Sequence, residues 1–304
     1  MDNAECSARK ILLATKAKML LIAGILALTI PSLPLSAHAQ PGTVLARFPL
    51  PMRSVDHVYF PTGLAFDGTN LWYTDPSDTQ PDVFQTTTSG TFLRSLPNLI
   101  GEAGALAWDG TNLWVASFEP HASRFNGRIF QISVGQNPTV LRTIELNDIL
   151  QPDDECGIID GLDFDASTNT LWFSPDAGCA PNHTFYQVGH VYQIDLSGNL
   201  VSRVQFPFAV SGDAKVGNNL YVVLRGSSPN TIPRVIYKTT LSGQIVSGFT
   251  LAPLGGSTTT VAEDIAFDSV TFASTGSCAL WANERSGFFS SPNLALTAYD
   301  VDCP

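Results

Sequence analysis

Four carboxylates, Glu102, Asp160, Glu263 and Asp264, stand just ahead of short apolar runs at comparable places along the chain. Asp213 falls near the same place in a weaker copy of that pattern. Hard oxygen ligands of this kind suit Ca2+ or Mg2+. A divalent ion held there would act as a Lewis acid for a lactone hydrolase or a carbon–oxygen lyase. The competing reading gives the same groups to backbone and water at strand ends. Histidine supplies a second set, with His121 close to Glu119 and His183 close to Asp176. A histidine beside a carboxylate can serve as a general base; solvated loop histidines are the plainer alternative. Arg225, Glu284 and Arg285 form a third set, able to clamp an anionic ligand or to pair at a rim.

The sequence has no G-x-S-x-G, H-E-x-x-H, Walker or dinucleotide-binding motif, which removes the commonest enzyme classes. Charged residues are only 14% of the chain and hydrophobic ones 44%, with 24 Gly and 20 Pro. That mix excludes a coiled coil, collagen and an acidic disordered chain. A formal charge of -11 without basic runs argues against nucleic acid or an anionic membrane as partner.

The elements that must position these groups are legible as repeats. The phrase Gly63-Leu64-Ala65-Phe66-Asp67-Gly68-Thr69-Asn70-Leu71-Trp72 returns at Ala105–Trp114 and, with a longer turn, at Gly161–Trp172. A weaker copy starts at Gly212, and a fifth runs from Asp264 to Trp281. Apolar residues flanking Asp, Gly, Thr and Asn predict a tight hairpin, strands A and B of a unit. A third strand, C, recurs as Val83-Phe84-Gln85-Thr86 and Ile129-Phe130-Gln131-Ile132, and a fourth, D, follows a glycine turn. The fifth unit stops after its third strand. Gly42-Thr43-Val44-Leu45-Ala46-Arg47 resembles the fourth strand Gly90-Thr91-Phe92-Leu93-Arg94 and supplies the missing one. The prediction is an all-β, five-bladed propeller of four-stranded antiparallel blades. It has about 50 residues per blade and is closed by the N-terminal strand.

These repeats resemble those of the secreted NHL-repeat and streptogramin-lyase-like propellers. The resemblance implies the fold. It also implies a mouth of the central channel as the place where such proteins put a metal.

Residues 1–39 read as a cleaved signal peptide. Arg9, Lys10, Lys16 and Lys18 precede an apolar run from Met19 to Leu35, and Ala37-His38-Ala39 offers small residues to a peptidase. Residues 40–304 then form a single propeller domain, periplasmic or extracellular. Four cysteines remain, and export favours two disulfides. Strand ends that meet in an antiparallel blade pair Cys156 with Cys179 and Cys278 with Cys303.

Strand alternation puts the A–B turns on one face and the long B–C loops on the other. Long loops on a rigid scaffold nominate their face for binding. The function expected is a monomeric, exported binding or scaffold module that presents this face to a small molecule or a protein. The alternative is the metal-dependent hydrolase or lyase, with no catalytic residue assigned. Exported protein is expected to begin at Gln40, which N-terminal sequencing of the secreted product checks; a chain starting at Met1 would contradict the leader.

Overall fold

The computed structural model describes residues 39–51, 61–76, 83–118, 127–146, 149–150, 157–176, 188–225, 234–257, 260–286 and 293–304. It is an all-β propeller of five four-stranded antiparallel sheets. Blade 1 holds β2 (Leu64–Phe66), β3 (Asn70–Thr74), β4 (Val83–Thr87) and β5 (Phe92–Leu96). Blade 2 holds β6 (Ala103–Trp108), β7 (Leu113–Ser117), β8 (Arg128–Ile132) and β9 (Val140–Glu145). Blade 3 holds β10 (Ile159–Asp165), β11 (Thr170–Pro175), β12 (Gly189–Asp195) and β13 (Leu200–Phe206). Blade 4 holds β14 (Ala209–Val216), β15 (Asn219–Arg225), β16 (Val235–Thr240) and β17 (Ile245–Thr250). Blade 5 holds β18 (Val261–Asp268), β19 (Cys278–Ser286), β20 (Asn293–Val301) and, from the other end of the chain, β1 (Val44–Pro49).

The repeated Asp organises the hairpins of blades 1, 2 and 5. Asp67 Oδ1 accepts the backbone N–H groups of Thr69 and Asn70, and its Oδ2 accepts Trp72 Nε1 at 2.8 Å and Gln85 Nε2 at 2.9 Å. Asp109 repeats the same bonds to Thr111, Asn112, Trp114 and Gln131. Asp268 holds Val270, Thr271 and Trp281 in blade 5. A single carboxylate thus satisfies the turn and fixes the buried indole of strand B, so turn chemistry and core packing are set by one residue.

Blades pack through a simple pair of positions on the inner strands. Ala65 of blade 1 lies in one apolar cluster with Leu106 of blade 2. Ala107 shares a cluster with Leu162, Ala214 with Ile265, and Ala266 with Leu64. Small against large fills four of the five seams.

The ring closes where β1 pairs with β20, from Val44↔Tyr299 to Pro49↔Ala295. Arg47 adds bonds to Thr297 Oγ1, to Glu284 Oε2 and to the Pro253 carbonyl. The Cys278–Cys303 disulfide forms as expected, with the two Cα atoms 5.2 Å apart. The expected Cys156–Cys179 partner pair lies outside the described residues. Cys303→Ser is expected to lower stability by about 2–4 kcal/mol, read as a shift of the urea midpoint; an unchanged midpoint would show that the closing strand holds without it.

Candidate functional site

The channel has an upper mouth, at the end where strand B of each blade leads on to strand C, and a turn-side lower mouth. The upper one is shaped by β-bulges. Register breaks fall between Ala103 and Leu106, Ile159 and Gly161, Val210 and Asp213, and Ala262 and Ile265, all near the upper ends of the inner strands. A bulge re-aims side chains and leaves backbone groups to be satisfied otherwise. Asn283 Oδ1 takes the N–H groups of Glu263 and Asp264 in β18, at 3.1 and 2.7 Å. In blade 1 Thr74 Oγ1 accepts the Gly63 N–H and donates to the Gly104 carbonyl, each at 2.6 Å.

Asp160 and Glu263 sit in two of these bulges, and both meet arginine. Arg225 Nη1 donates to Asp160 Oδ2 at 2.6 Å and also to Asp176. Arg285 donates to Glu263 Oε1 through Nε at 3.2 Å and Nη2 at 2.9 Å. Burial, with the charge of Asp176 added, raises Asp160 above the usual carboxylate range. Burial works the same way on Glu263, but Arg285, Arg225 and Arg234 outweigh it and hold that carboxyl low. The result is a partly desolvated belt of alternating charge across blades 3, 4 and 5. Its arginine side chains keep 18% and 17% of their surface exposed.

Asp264 lies one residue further in and is wholly buried. Its Oδ2 accepts the Leu64 N–H of blade 1 at 3.0 Å and its Oδ1 the Ile265 N–H at 2.9 Å. Burial raises it, against those bonds. Glu102 is half-buried before β6. Asp160 and Glu263 are therefore engaged by arginine and Asp264 by backbone, and no group of three or more metal-ligating side chains forms among the described residues. Glu284 lies away from the mouth, buried against Arg47, Thr297 and Tyr299 within blade 5. Glu119, His121 and His183 lie outside the described residues.

The fifth seam, between blades 3 and 4, breaks the packing rule. Asp163 stands opposite Trp172 as Ala65 stands opposite Trp72, and Asp213 stands opposite Val222 as Leu64 stands opposite Tyr73. The seam therefore has two carboxyl groups where its counterparts have alanine and leucine or isoleucine. Asp213 is wholly buried, and neither oxygen has a hydrogen-bond partner. Ser174 is near enough to favour its ionised form, but without the geometry of a hydrogen bond. Burial, then the charge of Asp163, push Asp213 up to about 8. Burial pushes Asp163 to about 7, against the Lys215 N–H bond at 2.7 Å. Below them Lys215 Nζ pairs with Asp165 Oδ2 at 2.7 Å. Asp165 is the turn residue of blade 3, so drawing it to Lys215 leaves Trp172 Nε1 without the bond its counterparts have. The signal for this seam was present in the repeat alignment, where Asp213 occupies a leucine position.

No family model matches the chain. No curated protein matches it. Among solved structures, the glutaminyl cyclase of Myxococcus xanthus is similar over 86% of this chain and 97% of its own, at 17% identity and a TM-score of 0.52. The tail fibre of Staphylococcus aureus phage P68 is similar over 84% of this chain and 52% of its own, at 12% identity and a TM-score of 0.52. At these identities the likeness is one of fold.

Because Asp163 and Asp213 bind protons in the folded state that the unfolded chain releases above about pH 4, stability falls as pH rises through about 7 to 8. Asp213→Leu, which restores the residue of the other seams, is expected to flatten that fall. It should stabilise by about 1–3 kcal/mol near pH 8.5 and by less near pH 5. Thermal unfolding across this range checks it, and a variant with the wild-type slope would contradict the assignment.

Proposed function

We propose that the protein is an exported binding propeller whose upper mouth takes a small ligand carrying both an acidic and a basic group. The observation that supports this most is the belt of Asp160, Arg225, Asp176, Glu263 and Arg285. Its charges are fixed in place by one another, so a ligand of mixed charge meets donors and acceptors already oriented, and little ordering cost remains. Export agrees with the Cys278–Cys303 disulfide. No described helix is long and apolar enough to cross a membrane. The recurring Asp…Trp hairpin favours placing the chain with NHL-like repeat proteins. A monomer is the expected state.

The second reading is an enzyme, favoured by the shared architecture with a glutaminyl cyclase over nearly the whole of that chain. Propeller scaffolds host both binding and catalysis, so the site must decide. In the divalent-metal form of that reading, Ca2+ or Mg2+ would have to displace arginine from Asp160 and Glu263.

A thermal-shift panel of amino acids, simple carboxylates and simple amines separates these readings. A saturable rise in Tm is expected with compounds bearing both charges, reduced about 10-fold in apparent affinity in Arg225→Gln. A rise with Ca2+ or Mg2+ alone would favour the metal-dependent enzyme instead, and no saturable shift with any compound would reject the small-ligand reading.

A further inference from the structure

The lower mouth of the channel has its own chemistry. Phe66, Trp108, Phe164 and Phe267 occupy one position of the inner strands in blades 1, 2, 3 and 5, and Lys215 occupies it in blade 4. All five are half-buried. Together with Asp163 they line a cavity of about 180 Å³. Lys215 adds no free charge to it, because its ammonium lies 2.7 Å from Asp165 Oδ2 and 3.3 Å from Ser167 Oγ. Asp163 faces the cavity, and behind it stands Asp213, buried, with both oxygens lacking a hydrogen-bond partner. Three carboxyl groups thus share one ammonium, and because Asp165 holds it in an ion pair, Asp163 and Asp213 have no ion-paired cation of their own among the described residues.

The surroundings decide which cation would answer that charge. A hard metal ion needs six or so oxygen ligands, and no group of three metal-ligating side chains forms among the described residues. Aromatic rings instead attract weakly hydrated organic cations, and an adjacent carboxylate adds to the attraction. We propose that the lower mouth binds a small, weakly hydrated organic cation, such as a methylated ammonium group, with Asp163 as its counter-charge and Phe66, Trp108, Phe164 and Phe267 around it. This site is separate from the upper mouth and stands independently of the function proposed there.

Calorimetric titration of the intact chain with tetramethylammonium chloride at pH 8.5, above the range in which Asp163 holds a proton, tests it, with tert-butanol as a neutral compound of similar shape. Saturable binding of the cation, and none of the alcohol, is expected. Asp163→Asn should weaken it by at least about 10-fold, and Trp108→Leu, which keeps apolar volume at a half-exposed position, by about 2- to 30-fold. Arg225→Gln at the upper mouth should leave it unchanged. Absence of saturable binding, equal binding of tert-butanol, indifference to both lower-mouth substitutions, or loss in Arg225→Gln alone would each overturn the proposal.

Discussion

The structure depends on how closely five inner strands crowd around one axis. A Cβ placed on Gly63 would lie 2.3 Å from the Gly104 carbonyl oxygen, and one on Gly212 would lie 2.7 Å from the Asp264 Cα. Backbones of neighbouring blades therefore touch, and only glycine or a side chain turned elsewhere fits at these points. The crowding explains why bulges gather there. A bulge lets a strand end swing away from the axis and point its side chains at the mouth. The charge belt exists because the ring is too narrow to keep those side chains inside.

Crowding also raises the cost of any polar group in a seam. Four seams meet it with an alanine against a leucine or isoleucine. The seam between blades 3 and 4 carries Asp163 against Asp213, flanked by Arg225 with Asp160 and Asp176 above and Lys215 with Asp165 below. A buried carboxyl pair without a counter-ion is destabilising unless protonated or joined by a cation. That one seam keeps such a pair marks it as a place where stability has been given up, as happens at functional sites.

Most of the architecture is legible in the amino-acid sequence. The Asp-Gly-Thr-Asn turns, the recurring Trp and the orphan strand at the N-terminus are local or periodic signals. Asp67 and Asp109 prove to be what ties turn to core. The acidic residues were visible too, but their roles were not. Glu263 and Asp264 are neighbours in sequence, yet one meets Arg285 and the other closes the ring onto Leu64. Glu284 and Arg285 also differ by one position, and only Arg285 reaches the mouth, while Glu284 turns into blade 5. Ordinary strand alternation separates Glu284 from Arg285 in β19, whereas in β18 a bulge between Ala262 and Ile265 shifts that alternation, so strand parity no longer tells which way Glu263 and Asp264 point.

The sequence by itself determined the all-β class, the number of blades, the closure by the first strand and the Cys278–Cys303 bridge, because each follows from local turn chemistry and from repetition. The tertiary structure alone decided which charges meet. Asp163 and Asp213 belong to different blades, as do Asp160 and Arg225, and only the narrow packing of inner strands brings them into contact. Their chemistry comes from burial and proximity, which no repeat pattern encodes.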